Sequence, residues 1–374
     1  MLRILSIRTH LMMMAFAVAM SSSASRGYAF KSEGFTSPPR QKFSGPLHKN
    51  FELAKSMLIA RNQIVGPEDV ALDDQGRIYA GSSKNGKIYR VTLSQSQEAK
   101  LEIFAETGGT FSLGLHFDAN QNLILCNSRG LLSVDKSGKV SLLTDSCDGV
   151  PITFPDDLVI ASDGKIFFSN ASSKFDGQAG RRDMNYDLLE NTPNGSLYCF
   201  DPATGKTSLI LSKLYFANGV VLSPHQEFLL IAETDRWRIK RYWLEGPQKG
   251  KVDIFANNLP GAPDGISADP DGGYWVALPG RRTLFLDFMC RHPKLKDFAS
   301  HFPEIFWRRV PRYGLVVHLD ADGKLDDSLQ DPTGKVYYVT NAIPWHGMLY
   351  LGSLKNNAIA IYDGRSELRQ QSNN

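Results

Sequence analysis

The chain has 374 residues, and its formal charge of +3 is matched by Arg3, Arg8 and Arg26 in a leader that carries no acid. The remainder is neutral, which excludes the basic face that a nucleic-acid partner demands. Four cysteines, Cys126, Cys147, Cys199 and Cys290, show neither CxxC nor metal-finger spacing. Free buried thiols are expected, and Cys126–Cys147 is the one pair worth testing as a disulfide.

Residues 1–29 read as a signal peptide. Arg3 and Arg8 precede an apolar run from Leu11 to Met20, followed by small residues and Gly27-Tyr28-Ala29. Such a run is short of the roughly 20 residues that span a bilayer. An uncleaved anchor lengthened by Leu2–Ile7 is the alternative. The prediction is an exported protein, periplasmic or secreted. Residues 30–56, with Pro38, Pro39 and Pro46, read as an extended arm. A propeller is assigned to 57–365 and a polar tail to 366–374. Met57-Leu58-Ile59-Ala60 is expected to pair into the last blade, closing the sheet edge.

The propeller reading comes from a repeat. Gly66-Pro67-Glu68-Asp69-Val70-Ala71-Leu72 opens with polar residues, runs into an apolar strand and reaches a turn before Ile78-Tyr79. The plan returns at Phe154–Phe167, Phe216–Pro224 and Ala262–Pro270, with a weaker copy near Leu113 and a shorter one at Thr340-Asn341-Ala342. Repeats of roughly 40 to 50 residues built from short strands mark a β-propeller. These copies predict an all-β fold of six blades, with helical or loop insertions as lids.

One aligned column reads Glu68, Leu113, Asp156, Asn218, Asp264, Asn341. In a propeller the innermost strands line the axis, so one repeat position places its side chains in a ring. Carboxylates converging there repel unless a cation lies between them. Oxygen donors without Cys or His suit calcium, or another hard divalent cation. The competing reading is that these residues are turn formers at strand ends; Glu68 does not fit it.

Two segments interrupt the rhythm. Ala171–Pro193 contains Arg181-Arg182-Asp183, and Pro279–Pro311 carries Leu295, Phe298, Ala299 and Phe302 at helical spacing. Loops this long are expected to form a lid over one mouth, with peripheral packing as the alternative. Membrane contact through residues 284–310 is a lesser reading.

Several phrases resemble the strictosidine synthase-like family, in the branch named for the adipocyte plasma membrane-associated proteins. They include Gly66-Pro67-Glu68, Phe216-Ala217-Asn218-Gly219-Val220, Asn258-Leu259-Pro260-Gly261 and Leu349-Tyr350-Leu351-Gly352-Ser353. The likeness covers about residues 55–360. It implies a six-bladed propeller related to paraoxonases and to the gluconolactonase/regucalcin group, calcium in the channel, and hydrolysis of esters or lactones in many relatives. Glu68, Asn218 and Asp264 stand where those relatives place metal ligands. Asp156 stands where Asn is usual, and Gly265 where Asn often follows the ligand Asp. The plant synthases condense an amine with an aldehyde using a Glu near the last inner strand; Val339–His346 contains none.

The expected activity is therefore calcium-dependent hydrolysis of a small apolar ester or lactone, arylesterase- or lactonase-like. The metal ligands would be Glu68, Asp156, Asn218 and Asp264, with Asp264 or Asp156 as base and His116 or His346 as helpers. No Gly-x-Ser-x-Gly elbow supports serine chemistry. Glu233 and Arg236 are expected to form a structural ion pair. A non-catalytic binding propeller with a structural cation is the second reading, and an amine–aldehyde condensing enzyme the third.

Overall fold

The computed structural model describes residues 30–364, apart from 95, 97, 176–180, 303–310 and the side chains of 181–183. The signal-peptide and tail assignments thus lie outside the described residues. Six four-stranded antiparallel sheets account for nearly all the regular structure. Each is one blade, and five are contiguous in sequence. The sixth takes its outermost strand, Met57–Ile59, from the start of the fold and pairs it antiparallel with Ile359–Asp363. This removes the open edge, as expected.

The inner strands are Pro67–Leu72, Ser112–Phe117, Pro155–Ile160, Ala217–Leu222, Ile266–Ala268 and Val339–Trp345. Pro67–Leu72 and Ala217–Leu222 are buried along their whole length. They pack between neighbouring blades rather than showing one face to water, so their sequences read as apolar runs instead of strict alternation. Apolar clusters fill the wedges between blades; one joins Val70, Ile78 and Val91 to Ile359 and Ile361 across the closure.

Register shifts fall at the column. Pro67 pairs with Ser82, but the next pair is Val70 with Ala80. The same slip occurs between Pro155 and Leu158 and between Ala217 and Val220. A bulge re-aims side chains and ends regular pairing, and bulges gather beside functional sites. Here they free Glu68, Asp156 and Asn218 from the ladder where the strands enter the channel.

Both long insertions join the second and third strands of a blade. In blade three the helix α1 (Arg181–Glu190) lies between Ile166–Asn170 and Gly195–Asp201. In blade five α2 (Leu284–Arg291) and α3 (Pro293–Ala299) lie between Tyr274–Ala277 and Gly314–Leu319. Thr283 caps α2 by accepting from the Leu286 N–H at 3.2 Å, and Pro293 opens α3 where a missing N–H costs nothing. Antiparallel connectivity puts every second-to-third turn on the rim where the inner strands begin, so these helices roof the column residues.

The N-terminal arm straps this roof. The Glu33 N–H donates to Glu190 O and the Phe35 N–H to Cys290 O, while Ser37 donates to the Asp287 carboxylate. Cys126, Cys147, Cys199 and Cys290 are free, buried thiols.

Candidate functional site

The roof and channel mouth enclose a cavity of about 270 Å³. Its floor carries Glu68, Asp156, Asn218 and Asp264, all buried. The four predicted ligand positions therefore share one chamber. The blade-two column position there is Leu113, which is apolar. The sixth blade departs from the expected ring: Asn341 turns its amide to the Asp69 carboxylate, and Tyr338 and Thr340 line the cavity in its place.

The acids on the floor are poorly compensated. Burial first, then Asp264 and Asp156, hold the Glu68 carboxyl well above the usual range. Burial and Asp264 do the same for Asp156. Burial raises Asp264 as well, against a hydrogen bond from Asn218 that lowers it. Among the described residues no ion pair involves any of the three. Arg281 also lines the cavity, but its guanidinium stacks on Phe43 and Tyr313 at 4.1 and 4.5 Å. The donor set, three carboxylates and one amide, matches a hard divalent cation. The acids do not form a closed cage: among the described residues no three His, Cys, Asp or Glu lie close enough to hold an ion by themselves.

The residue after the column position ties the blades together. Asp69 accepts from the Leu115 N–H at 2.6 Å and Asp157 from the Val220 N–H at 2.8 Å. Burial still pushes Asp157 up to about 7. In blades two, four and five this position is glycine, and in blade six it is Ala342. The Gly219 N–H donates to Asp264 O at 3.1 Å and the Gly265 N–H to Thr340 O at 2.8 Å. A Cβ on Gly219 would lie 2.3 Å from Asp264 O, and one on Gly265 2.7 Å from Thr340 O. Gly265 is thus a close blade-to-blade approach, which explains why no Asn stands there.

Above the floor the walls are apolar. Phe111, Phe154 and Phe216 come two residues ahead of Leu113, Asp156 and Asn218, just before the inner strands begin, and all three line the cavity. Phe111 and Phe154 rings are 5.4 Å apart, and Phe154 and Phe216 5.9 Å. Met184 and Leu188 of α1 pack on this wall. The aromatic column was readable in the repeat, because the position two before the column residue is Phe in three successive blades.

A second polar group sits on the rim at blade four. Asp235, in the turn between Phe228–Glu233 and Arg238–Trp243, lines the cavity and is buried. Its Oδ2 has no hydrogen-bond partner among the described residues. Burial and then Asp187 raise its carboxyl well above the usual range. Lys296 lines the same wall and donates to Glu33 O at 2.8 Å, with burial lowering its pKa. Asp235 belongs to no repeated column, although any turn between second and third strands must lie on this rim.

Three expectations are corrected by topology. Glu233 pairs with Arg238 and with Lys240 at 3.2 Å, whereas Arg236 stacks 3.5 Å from the Tyr215 ring centroid and reaches Glu33 at 3.9 Å. His346 sits in the turn between the first and second strands of blade six, on the opposite rim and exposed. His116 lies toward the far end of its inner strand, does not line the cavity, and is pushed down to about 4 by burial. Neither histidine serves this site.

Residues 82–286 match the SMP-30/gluconolactonase/LRE-like region, and residues 45–91 the strictosidine synthase-like N-terminal region. The chain is 35% identical over 342 residues to the adipocyte plasma membrane-associated protein of Bos taurus, spanning 86% of this chain and 81% of that one. It is 32% identical over 323 residues to strictosidine synthase-like protein 6 of Arabidopsis thaliana, covering 85% and 84%. Among solved structures, a gluconolactonase from Xanthomonas campestris superposes with a TM-score of 0.59 at 18% identity, covering 90% of this chain and 98% of that one. The calcium-binding protein regucalcin from Agrobacterium tumefaciens superposes at 0.56 and 15% identity, covering 80% and 90%. These two likenesses concern the fold. A repeat that builds six blades, matched across most of its length by such relatives, leaves one assignment: the chain belongs to the strictosidine synthase-like family.

Proposed function

We propose that this protein is an exported, divalent-cation-dependent hydrolase of small apolar carboxylic esters or lactones, with calcium the expected ion. One observation carries the reading: three buried carboxylates and Asn218 share the floor of an apolar cavity without a cationic partner among the described residues. Glu68, Asp156, Asn218 and Asp264 would hold the ion. A hard cation held there supplies Lewis acidity toward a carbonyl oxygen. The chain's own residues do the rest. Phe111, Phe154 and Phe216 bind the apolar body of the substrate and exclude bulk water. Asp264 is oriented by the Asn218 amide, which fixes its carboxyl beside the floor. Asp156 accepts no such bond among the described residues, and it is the better placed of the two to take a proton from water and return it to the leaving oxygen.

The deciding experiment is a metal analysis of purified protein, with turnover of phenyl acetate and small lactones measured before and after chelation. Hydrolysis that depends on restored calcium is expected. Activity surviving complete removal of divalent ions would overturn the metal role.

The second reading is a ligand-binding propeller in which the cation is structural. It is favoured by relatives named for membrane association. It predicts cation-dependent stability without turnover of any ester. The condensing-enzyme reading has less support, since Val339–His346 carries no Glu and Asn341 is engaged with Asp69. Export is tested by sequencing the mature N-terminus, with cleavage after Ala29 expected.

A further inference from the structure

Thirteen large apolar side chains are exposed among the described residues, and seven of them are spread over the arm and the outer parts of the blades. The other six are Leu284, Phe285, Leu286, Phe288, Leu295 and Phe298, each between 38% and 71% exposed. They fall on α2 and α3, the two roof helices of blade five. Monomeric proteins rarely expose such a contiguous apolar patch without using it.

The exposure does not come from loose packing. Asp287 on the inner face of α2 takes hydrogen bonds from Ser37 and Arg282 and an ion pair from Arg40 at 3.3 Å. Asp297 on α3 accepts from the Ser32 N–H at 2.8 Å, and Lys296 is buried against the arm. Among the described residues the helices are therefore held on one side and bare on the other. Charge on the bare side has one sign among the described residues. Arg291 and Lys294 are exposed, and both acids between Leu284 and Phe302 are turned toward the arm.

We propose that the outer face of α2 and α3 docks on an anionic phospholipid bilayer. Apolar side chains enter the headgroup–acyl boundary while Arg291 and Lys294 meet acidic headgroups. The insertion lies in the plane of the membrane, because neither helix approaches spanning length. A second copy of this chain is a poorer occupant: a two-fold contact would bring the like charges of Arg291 and Lys294 together. Phe285 and Leu286 are exposed and also line the cavity, so docking places the chamber's entrance at the lipid surface.

The test reads the helix locally, so that binding through the N-terminal apolar stretch does not interfere. In the full chain, Phe288→Trp is compared with Leu209→Trp, an exposed control on the outer strand of blade three, and Leu284→Trp serves as a second reporter. Vesicles contain phosphatidylcholine and phosphatidylserine, with or without nitroxide-labelled lipid. The expected result is a blue shift and nitroxide quenching at positions 288 and 284 but not at 209. Arg291→Glu with Lys294→Glu should weaken local docking about tenfold or more, and salt should do likewise. Vesicle-bound protein whose indole at 288 stays unshifted and unquenched overturns the proposal, as does protein that binds no vesicles. Concentration-dependent dimers that bury this indole without lipid would assign the face to a second copy instead.

Discussion

Glu233 and Glu68 are both buried acids on the roofed rim, one at blade four and the other at blade one, but their surroundings are opposite. Glu233 accepts from the Tyr215 N–H at 3.0 Å and faces Arg238 and Lys240. Glu68 faces Asp264 and Asp156, so every neighbouring charge named for it repels. A buried acid with its cations in place is part of the scaffold. A buried acid among other acids is a stored cost that a bound cation relieves. The contrast separates architecture from chemistry more cleanly than burial alone, since both residues are almost fully buried.

Substitution at each pole tests the contrast. Glu233→Gln leaves Arg238 and Lys240 without their counter-charge and should cost about 3 kcal/mol of stability, measured by denaturant unfolding. Asp264→Asn should leave the cation-free fold intact yet lower ester turnover about 100-fold, an effect of the size seen when one group stabilising the developing charge is removed. It should also abolish the gain in melting temperature that added calcium gives the parent. Equal losses of cation-free stability at both positions would erase the distinction.

Gly219→Ala sharpens it further. The added Cβ meets Asp264 O at 2.3 Å, so the blade-four to blade-five approach must open. A loss of about 2 kcal/mol is expected, together with weaker calcium binding by titration, because Asp264 moves with its backbone.

Asp187 gives a pH handle away from the floor. Burial raises its carboxyl to about 7, although Ser172 and Asn194 donate to it. The folded state therefore keeps a proton that the unfolded chain releases near 3.9. That contribution is full below pH 4 and is lost as pH rises toward 7. Melting temperature should fall across that window by an amount worth about 4 kcal/mol, and Asp187→Asn should flatten the slope. The smallest effect carries the most telling sign. Without cation, Asp264→Asn should raise stability by about 1 kcal/mol, since an uncompensated buried carboxyl becomes a neutral amide. The same change at Glu233 lowers it.

The blade count, the closure by Met57–Ile59 and the convergence of Glu68, Asp156, Asn218 and Asp264 are legible in the sequence. A tandem repeat fixes them, because equal positions in equal units must occupy equivalent places around one axis. Phe111, Phe154 and Phe216 obey the same logic and were open to the same reading. Contacts between insertions and distant segments do not repeat. That Asn341 turns to Asp69, that Arg236 stacks on Tyr215 rather than pairing with Glu233, and that Asp235 meets the cavity all depend on how unlike pieces pack. The same holds for the bare face of α2 and α3, whose inner side the arm covers from more than two hundred residues away in sequence. Periodicity places what recurs around the axis; only tertiary packing decides which side of a unique insertion meets protein and which meets its surroundings.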